Sequence, residues 1–184
     1  MTTKNHSGHL MVANPNNPLD DFSKSIVLLI SHGEKVAVGL QINKILDNIT
    51  LESVAQGLGM DFPESAPLYY GGSMSSNKIH VIHTLDWRSS ATGEVAENLG
   101  VTNDISILSA ISQGEGPREY KAVAGHCLWE SKTLDDMLNP RKRNQQHKWE
   151  LIPATPARVF LSQGSEHWRE LLDETARYQV NSWF

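Results

Sequence analysis

YYGGSMSSNKIHVIHT, residues 69–84, carries a double glycine, three serines and two histidines spaced H-x-x-H. A phosphate cradle, a hydrolase nucleophile beside its base, half a metal site, or two strands joined by a turn would each use such residues. The segment IHVIHT is rich in β-branched residues and reads as a strand. Side chains on a strand alternate between faces, so residues three apart, His80 and His83, point to opposite sides and cannot share one ion. A zinc site also needs three or four ligands, and no cysteine or carboxylate cluster lies nearby in sequence. GGSMSSNK has neither P-loop nor dinucleotide glycine spacing, and it leads into a strand where those loops lead into a helix. The nucleophile-elbow pattern G-x-S-x-G is absent around Ser73, Ser75 and Ser76, which leaves a triad built from distant residues as the remaining route to a serine hydrolase. The reading is therefore strand, turn, strand. Gly71 and Gly72 end the first strand with an unusual backbone geometry or a close packing contact.

Working outward, HLMVA (9–13) reads as a short strand and NPNNP (14–18) as a turn. SIVLLISH (25–32) and AVGLQIN (37–43), joined by GEKV, form a hairpin at the centre of a sheet. Helices are expected over 51–59 and 104–114, the second with an apolar stripe of Ile105, Leu108 and Ile111. PLYYGG (67–72), KIHVIHT (78–84), EYKAVAGHCLW (119–129), KWELIPA (148–154) and RVFLS (158–162) are strand candidates. Ser131 caps a short helix ending before Pro140, and Ser165 caps a final helix with Trp168, Leu171, Leu172 and Ala176 on one face. Strands and helices mix without regular βαβ alternation, so the class is mixed α+β.

The 184 residues form one domain, with residues 1–7 and 177–184 as loosely ordered termini. The longest apolar run, Ile26 to Ile30, is far short of the ~20 residues of a membrane helix. The first residues lack the apolar core of a secretory signal, and the single cysteine, Cys127, excludes an intramolecular disulfide. Both features point to the cytoplasm. His126 and Cys127 are strand neighbours facing opposite ways, so the thiol reads as a small buried hydrophobe. The net charge of −5 argues against an extended nucleic-acid surface. The dense basic segment is the loop 139–148, where Arg141, Lys142, Arg143 and Lys148 precede Trp149. It reads as a solvated loop, with phosphate contact as the alternative.

The ordered blocks GHLMVANPNNPLDDFSKSIVLLISH, AVGLQINKIL, PLYYGGSM, IHVIHT, DISILSAISQGEGPREYKAVAGHCLWESKTLDDML and WELIPATPARVFLSQGSEHWRELL resemble the YqgE/AlgH family of small bacterial proteins over roughly residues 8–176. Departures are Ser73–Met74 where the family has Pro–Val, His126–Cys127–Leu128 where it has Tyr, a small residue and Gly, Thr133 where it has Gln, and a longer basic loop. The resemblance implies an α+β fold with a bent or bifurcated mixed sheet, partly barrel-like and surrounded by helices. It implies no established reaction, cofactor or metal, and a link to transcriptional regulation, including alginate production, without a DNA-binding motif. The expected function is a non-enzymatic cytoplasmic regulator acting through a protein partner, with Tyr69, Tyr70, Gly71, Gly72, His83 and Trp129 as the interaction patch. The alternatives are a nucleic-acid binder using Arg141, Lys142, Arg143 and Lys148, and a hydrolase or thiol enzyme around His83, Ser73 or Cys127.

Overall fold

The computed structural model describes residues 5–15, 20–62, 65–139, 141 and 148–181. Its strands are β1 (His9–Ala13), β2 (Ile26–His32), β3 (Val36–Gln41), β4 (Ile45–Thr50), β5 (Pro67–Tyr70), β6 (Met74–Thr84), β7 (Gly93–Ala96), β8 (Leu99–Thr102), β9 (Tyr120–Glu130) and β10 (Trp149–Pro153). Its helices are α1 (Leu51–Gly57), α2 (Ser106–Ser112), α3 (Ser131–Leu138), α4 (Pro156–Phe160) and α5 (Gly164–Asn181). The strands run β10-β1-β2-β3-β9-β6-β8-β7, with β5 joining β9 and β4 joining β5. The sheet is antiparallel except for β5 against β9, and it curls into a half-barrel. As expected, the β2–β3 hairpin lies at its centre.

The sheet forks at β9. On one edge of that strand, Cys127 to Glu130 pair with β3, whereas Ala122 to Ala124 pair with β5. Its other edge pairs with β6 from Tyr120 to His126, with a register shift between Met74 and Ile79. The double glycine stands in the fork: the Gly71 amide donates to Ala124 O at 2.8 Å, and Gly71 O accepts from the Gln41 amide at 2.9 Å. An added Cβ on Gly71 would lie 2.3 Å from Gly125 O, and one on Gly72 would lie 2.2 Å from the carbonyl carbon of His126. Gly125 answers from the other side, with φ +77° and room for a Cβ only 2.4 Å from Gly72 O. Two backbones cross here at a distance that only glycine permits. That is the physical role of the double glycine: it lets β5 end against β9 where β3 departs.

The concave face holds one core, in which Leu28, Leu40, Ile82, Leu99 and Val123 meet Val159 of α4 and Trp168 and Leu171 of α5. A second core lies under α1 and α2, and a third under α3 around the fully buried Trp149.

Five local expectations need correction. RVFLS is not a strand: Thr155 accepts from the Arg158 amide and Pro156 opens the helix α4, a capped start that outweighs the β-branched content. The polar stretch after β6 contains the hairpin β7–β8, turned by Asn98 at φ +54° in place of a glycine. β4 was not expected because most of its side chains face solvent. Glu130, not Ser131, is the N-cap of α3; the Ser131 hydroxyl instead donates to Gly33 O at 2.7 Å. On α5 the apolar face holds Trp168 and Leu171, but Ala176 is exposed and Thr175 takes the buried position.

Candidate functional site

The six residues of the expected patch do not share one exposed surface. Tyr69 and His83 are buried, as are Gly71 and Gly72, while Tyr70 and Trp129 are half-buried. Tyr69 donates to Gln163 Oε1 at 3.1 Å, and burial holds its phenol above the usual range. His83 donates from Nδ1 to Thr84 O at 2.9 Å and sets its ring edge against Trp87. Trp129 packs on Phe22 in the core beneath α3. Of the basic loop, Arg141 is exposed and Lys148 half-buried, while Lys142 and Arg143 lie outside the described residues.

Cys127 is placed as a framework residue. Its thiol donates to Gly71 O at 3.4 Å and accepts from Gln41 Nε2 at 3.9 Å, and burial pushes its pKa up to about 11. At neutral pH a thiolate is then about a hundredfold scarcer than for a thiol at the ordinary value near 9. Native protein at pH 7.5 is therefore expected to react with iodoacetamide at least about a hundredfold more slowly than urea-unfolded protein. Equal rates would reopen the thiol-enzyme reading. Ser73 is exposed at the fork, and His83 holds Thr84 O through Nδ1 while its Nε2 is buried without a hydrogen-bond partner. Among the described residues no three His, Cys, Asp or Glu side chains converge as a metal cluster.

Sequence reasoning missed the pair Lys121 and His167. Lys121 lies within the buried run of β9, donating from Nζ to Ser162 O at 2.8 Å and Ile42 O at 3.3 Å, with its ammonium 4.9 Å from the centre of the Tyr69 ring. Desolvation lowers its pKa to about 8. His167, fully buried on α5, donates from Nε2 to Arg158 O at 2.7 Å; burial, and next the charge of Lys121, lower it to about 4. The only sequence signal was a lysine inside an otherwise apolar strand. Ser162 follows Leu161, the C-cap of α4, so the Lys121 ammonium ties the end of that helix to β9.

His80 and His83 do face opposite ways, yet His80 has an imidazole partner that spacing could not reveal. The register of β6 on β9 shifts between Met74 and Ile79, opposite Gly125, and the His80 and His126 rings meet edge to face at 5.6 Å. His80 also lines a cleft of about 250 Å³ whose apolar floor includes Ile30 and Val101, both packed against the concave core.

Beside the cleft, three central strands expose apolar side chains. Val38 is opposite Leu128, and His126, two residues before Leu128, is opposite Met74. Direct partners share a face, and residues two apart on a strand do too. Val36 (47% exposed), Leu128 (46%) and Met74 (46%) thus form a stripe across β3, β9 and β6. Val38 lies two residues from the buried core residue Leu40, so stripe and core occupy the same face of β3. α4 and α5 bring Val159, Trp168 and Leu171 onto the core of that face, while Val36, Leu128 and Met74 stay exposed.

A family model described as DUF179, AlgH-like, matches residues 10–177. A UPF0301 protein of Laribacter hongkongensis is 31% identical over 160 residues, covering 84% of this chain and 81% of that protein. Another, of Methylococcus capsulatus, is 27% identical over 168 residues, 90% of this chain and 89% of that protein. In fold the chain is similar to the solution structure of the AlgH protein from Pseudomonas aeruginosa, with a TM-score of 0.73 and 24% identity over 97% of this chain and 91% of that one. A crystal structure from Corynebacterium diphtheriae gives a TM-score of 0.70 at 21% identity, over 93% and 88% of the two chains.

Proposed function

This chain belongs to the AlgH-like family, and we propose on that footing that it is a non-enzymatic cytoplasmic regulator that works by docking a protein partner. The observation that carries the reading is the stripe of Val36, Leu128 and Met74, each nearly half exposed on the middle strands of a sheet. A solvated sheet face is ordinarily polar, and contiguous exposed apolar residues favour a binding surface. The groups that would argue for catalysis support the same reading by their engagement elsewhere: Cys127 with Gly71 and Gln41, His83 with Thr84. No described helix is long and apolar enough to cross a membrane, which fits a partner met in the cytoplasm.

A site-specific photocrosslinker tests this in the native host. Placed at Leu128 it is expected to trap one discrete protein, and placed at Glu52 on α1, away from the stripe, to trap none. Identical products at both positions, or none at Leu128, would count against the docking surface. The alternative, nucleic-acid contact through Arg141, Lys142, Arg143 and Lys148, predicts binding that weakens steeply with salt and a slope flattened by removing those charges.

A further inference from the structure

When a protein partner docks on the stripe, the geometry of the stripe selects the element that the partner brings, an assignment that rests on the function just proposed. Val36 is opposite Glu130, Leu128 lies two residues back along β9, and Met74 is opposite His126, two residues further back. The three exposed side chains therefore stand on one diagonal line, each step crossing one strand and two residues of β9. A diagonal step spans about 7–8 Å, so the row is roughly 15 Å long and one side chain wide.

An occupant that touches all three lies over the face of the sheet, where side chains project and the backbone groups of the strands, which point along the sheet, offer it no partners. It must satisfy its own backbone, as a helix does. A second sheet would also do so, but it wants an apolar area extended in two dimensions. Here Glu130 stands beside Val36, and His126 beside Met74. A single apolar line fits the narrow apolar stripe of an amphipathic helix. α4 and α5 already pack on the same face in this way, through Val159, Trp168 and Leu171. The charges give the row a direction. Glu130 is exposed at the Val36 end, and Lys78 is exposed on β6, four residues beyond Met74. Neither is held in an ion pair among the described residues. A helix carries partial positive charge at its N-terminal end and partial negative charge at its C-terminal end.

We propose that the stripe receives an amphipathic helix of the partner, about three turns long, with its N-terminal end over Val36 and Glu130 and its C-terminal end toward Met74 and Lys78. The test places a benzophenone amino acid singly at Val36, Leu128 and Met74 of the whole chain in the native host and maps the attachment point of each on the trapped protein. The positions are the result, since trapping a protein does not by itself support a helix. Attachment within one segment is expected, in the order Val36, Leu128, Met74 from its N-terminus, with the outer two about ten residues apart at 1.5 Å per residue. An extended segment would place them about five residues apart. Five-residue spacing, the reverse order, or attachment to separate segments would overturn the helix and leave the docking surface standing. No attachment at any of the three would overturn both. A second measurement needs no crosslinker: Lys78→Glu is expected to weaken the purified partner at least about threefold at low salt, with the difference fading in 0.5 M salt. Unchanged affinity at low salt would overturn the orientation.

Discussion

Gly72→Ala is expected to cost the fold a large part of its stability. The new Cβ would sit 2.2 Å from the carbonyl carbon of His126 and 2.5 Å from the Cys127 amide nitrogen, and both are backbone atoms that cannot rotate away. The φ of +152° adds strain for any L side chain. Relief requires β5 to part from β9, which breaks the Gly71–Ala124 hydrogen bond and the one from Gln41 to Gly71. A cost of about 4 kcal/mol or more follows, against a total stability of roughly 5–15 kcal/mol for a domain. Gly125→Ala should behave likewise, because it meets Gly72 from the opposite side. Gly57→Ala is the control: it ends α1 with nothing within 4 Å of the added carbon. It should be neutral or stabilise by up to about 1 kcal/mol. Thermal melts separate these outcomes, and a Gly72→Ala protein melting within a few degrees of wild type would refute the crossing as described.

The second large effect is acid sensitivity through His167. In the unfolded chain an imidazole takes its proton near 6.5; in the folded chain this one resists until about 4. Between those values the unfolded state binds more protons, so stability present above pH 6.5 is lost as pH falls toward 4. The loss is about 3 kcal/mol for this residue. The cause is local: charging His167 removes a cation from water beside Lys121, which is already protonated throughout that range. His167→Gln keeps a donor for Arg158 O but cannot titrate. Urea unfolding at pH 7 and pH 4 should show the variant losing about 3 kcal/mol less than wild type on acidification. Parallel losses in the two proteins would place the acid sensitivity elsewhere.

Much of the architecture was readable because it rests on local rules. The apolar, β-branched runs of β2, β6 and β9 and the 3.6-residue stripe of α5 each specify their own element. The same rules led astray where one local signal outweighed another, as when Thr155–Pro156 started a helix in a run that otherwise favoured a strand. The site was less legible, since its parts meet through the fork. The double glycine announced a close contact, but only the register of β3, β5 and β6 on β9 shows what it contacts. Tyr69, Gly71, Gly72 and His83 stood out by residue type and serve inside the fold. Leu128 stood out only as a departure from the family pattern, and it lies at the centre of the exposed stripe.

The unfinished cover of the concave face unites these findings. α4 and α5 shield Leu40, Val123 and their neighbours, and then the helical cover ends while the apolar surface continues through Val38 and Leu128 to Met74. A partner laid on that half would complete what the helices begin. A lysine at position 128 would carry an unpaired charge into the covered surface, while the free protein, with Leu128 already half exposed, should keep its melting temperature. The most direct measurement is the Kd of the purified crosslinked partner for wild-type protein and for Leu128→Lys. A loss of at least about tenfold in affinity at unchanged stability is expected; equal affinity in the two proteins would rule out a partner on this face.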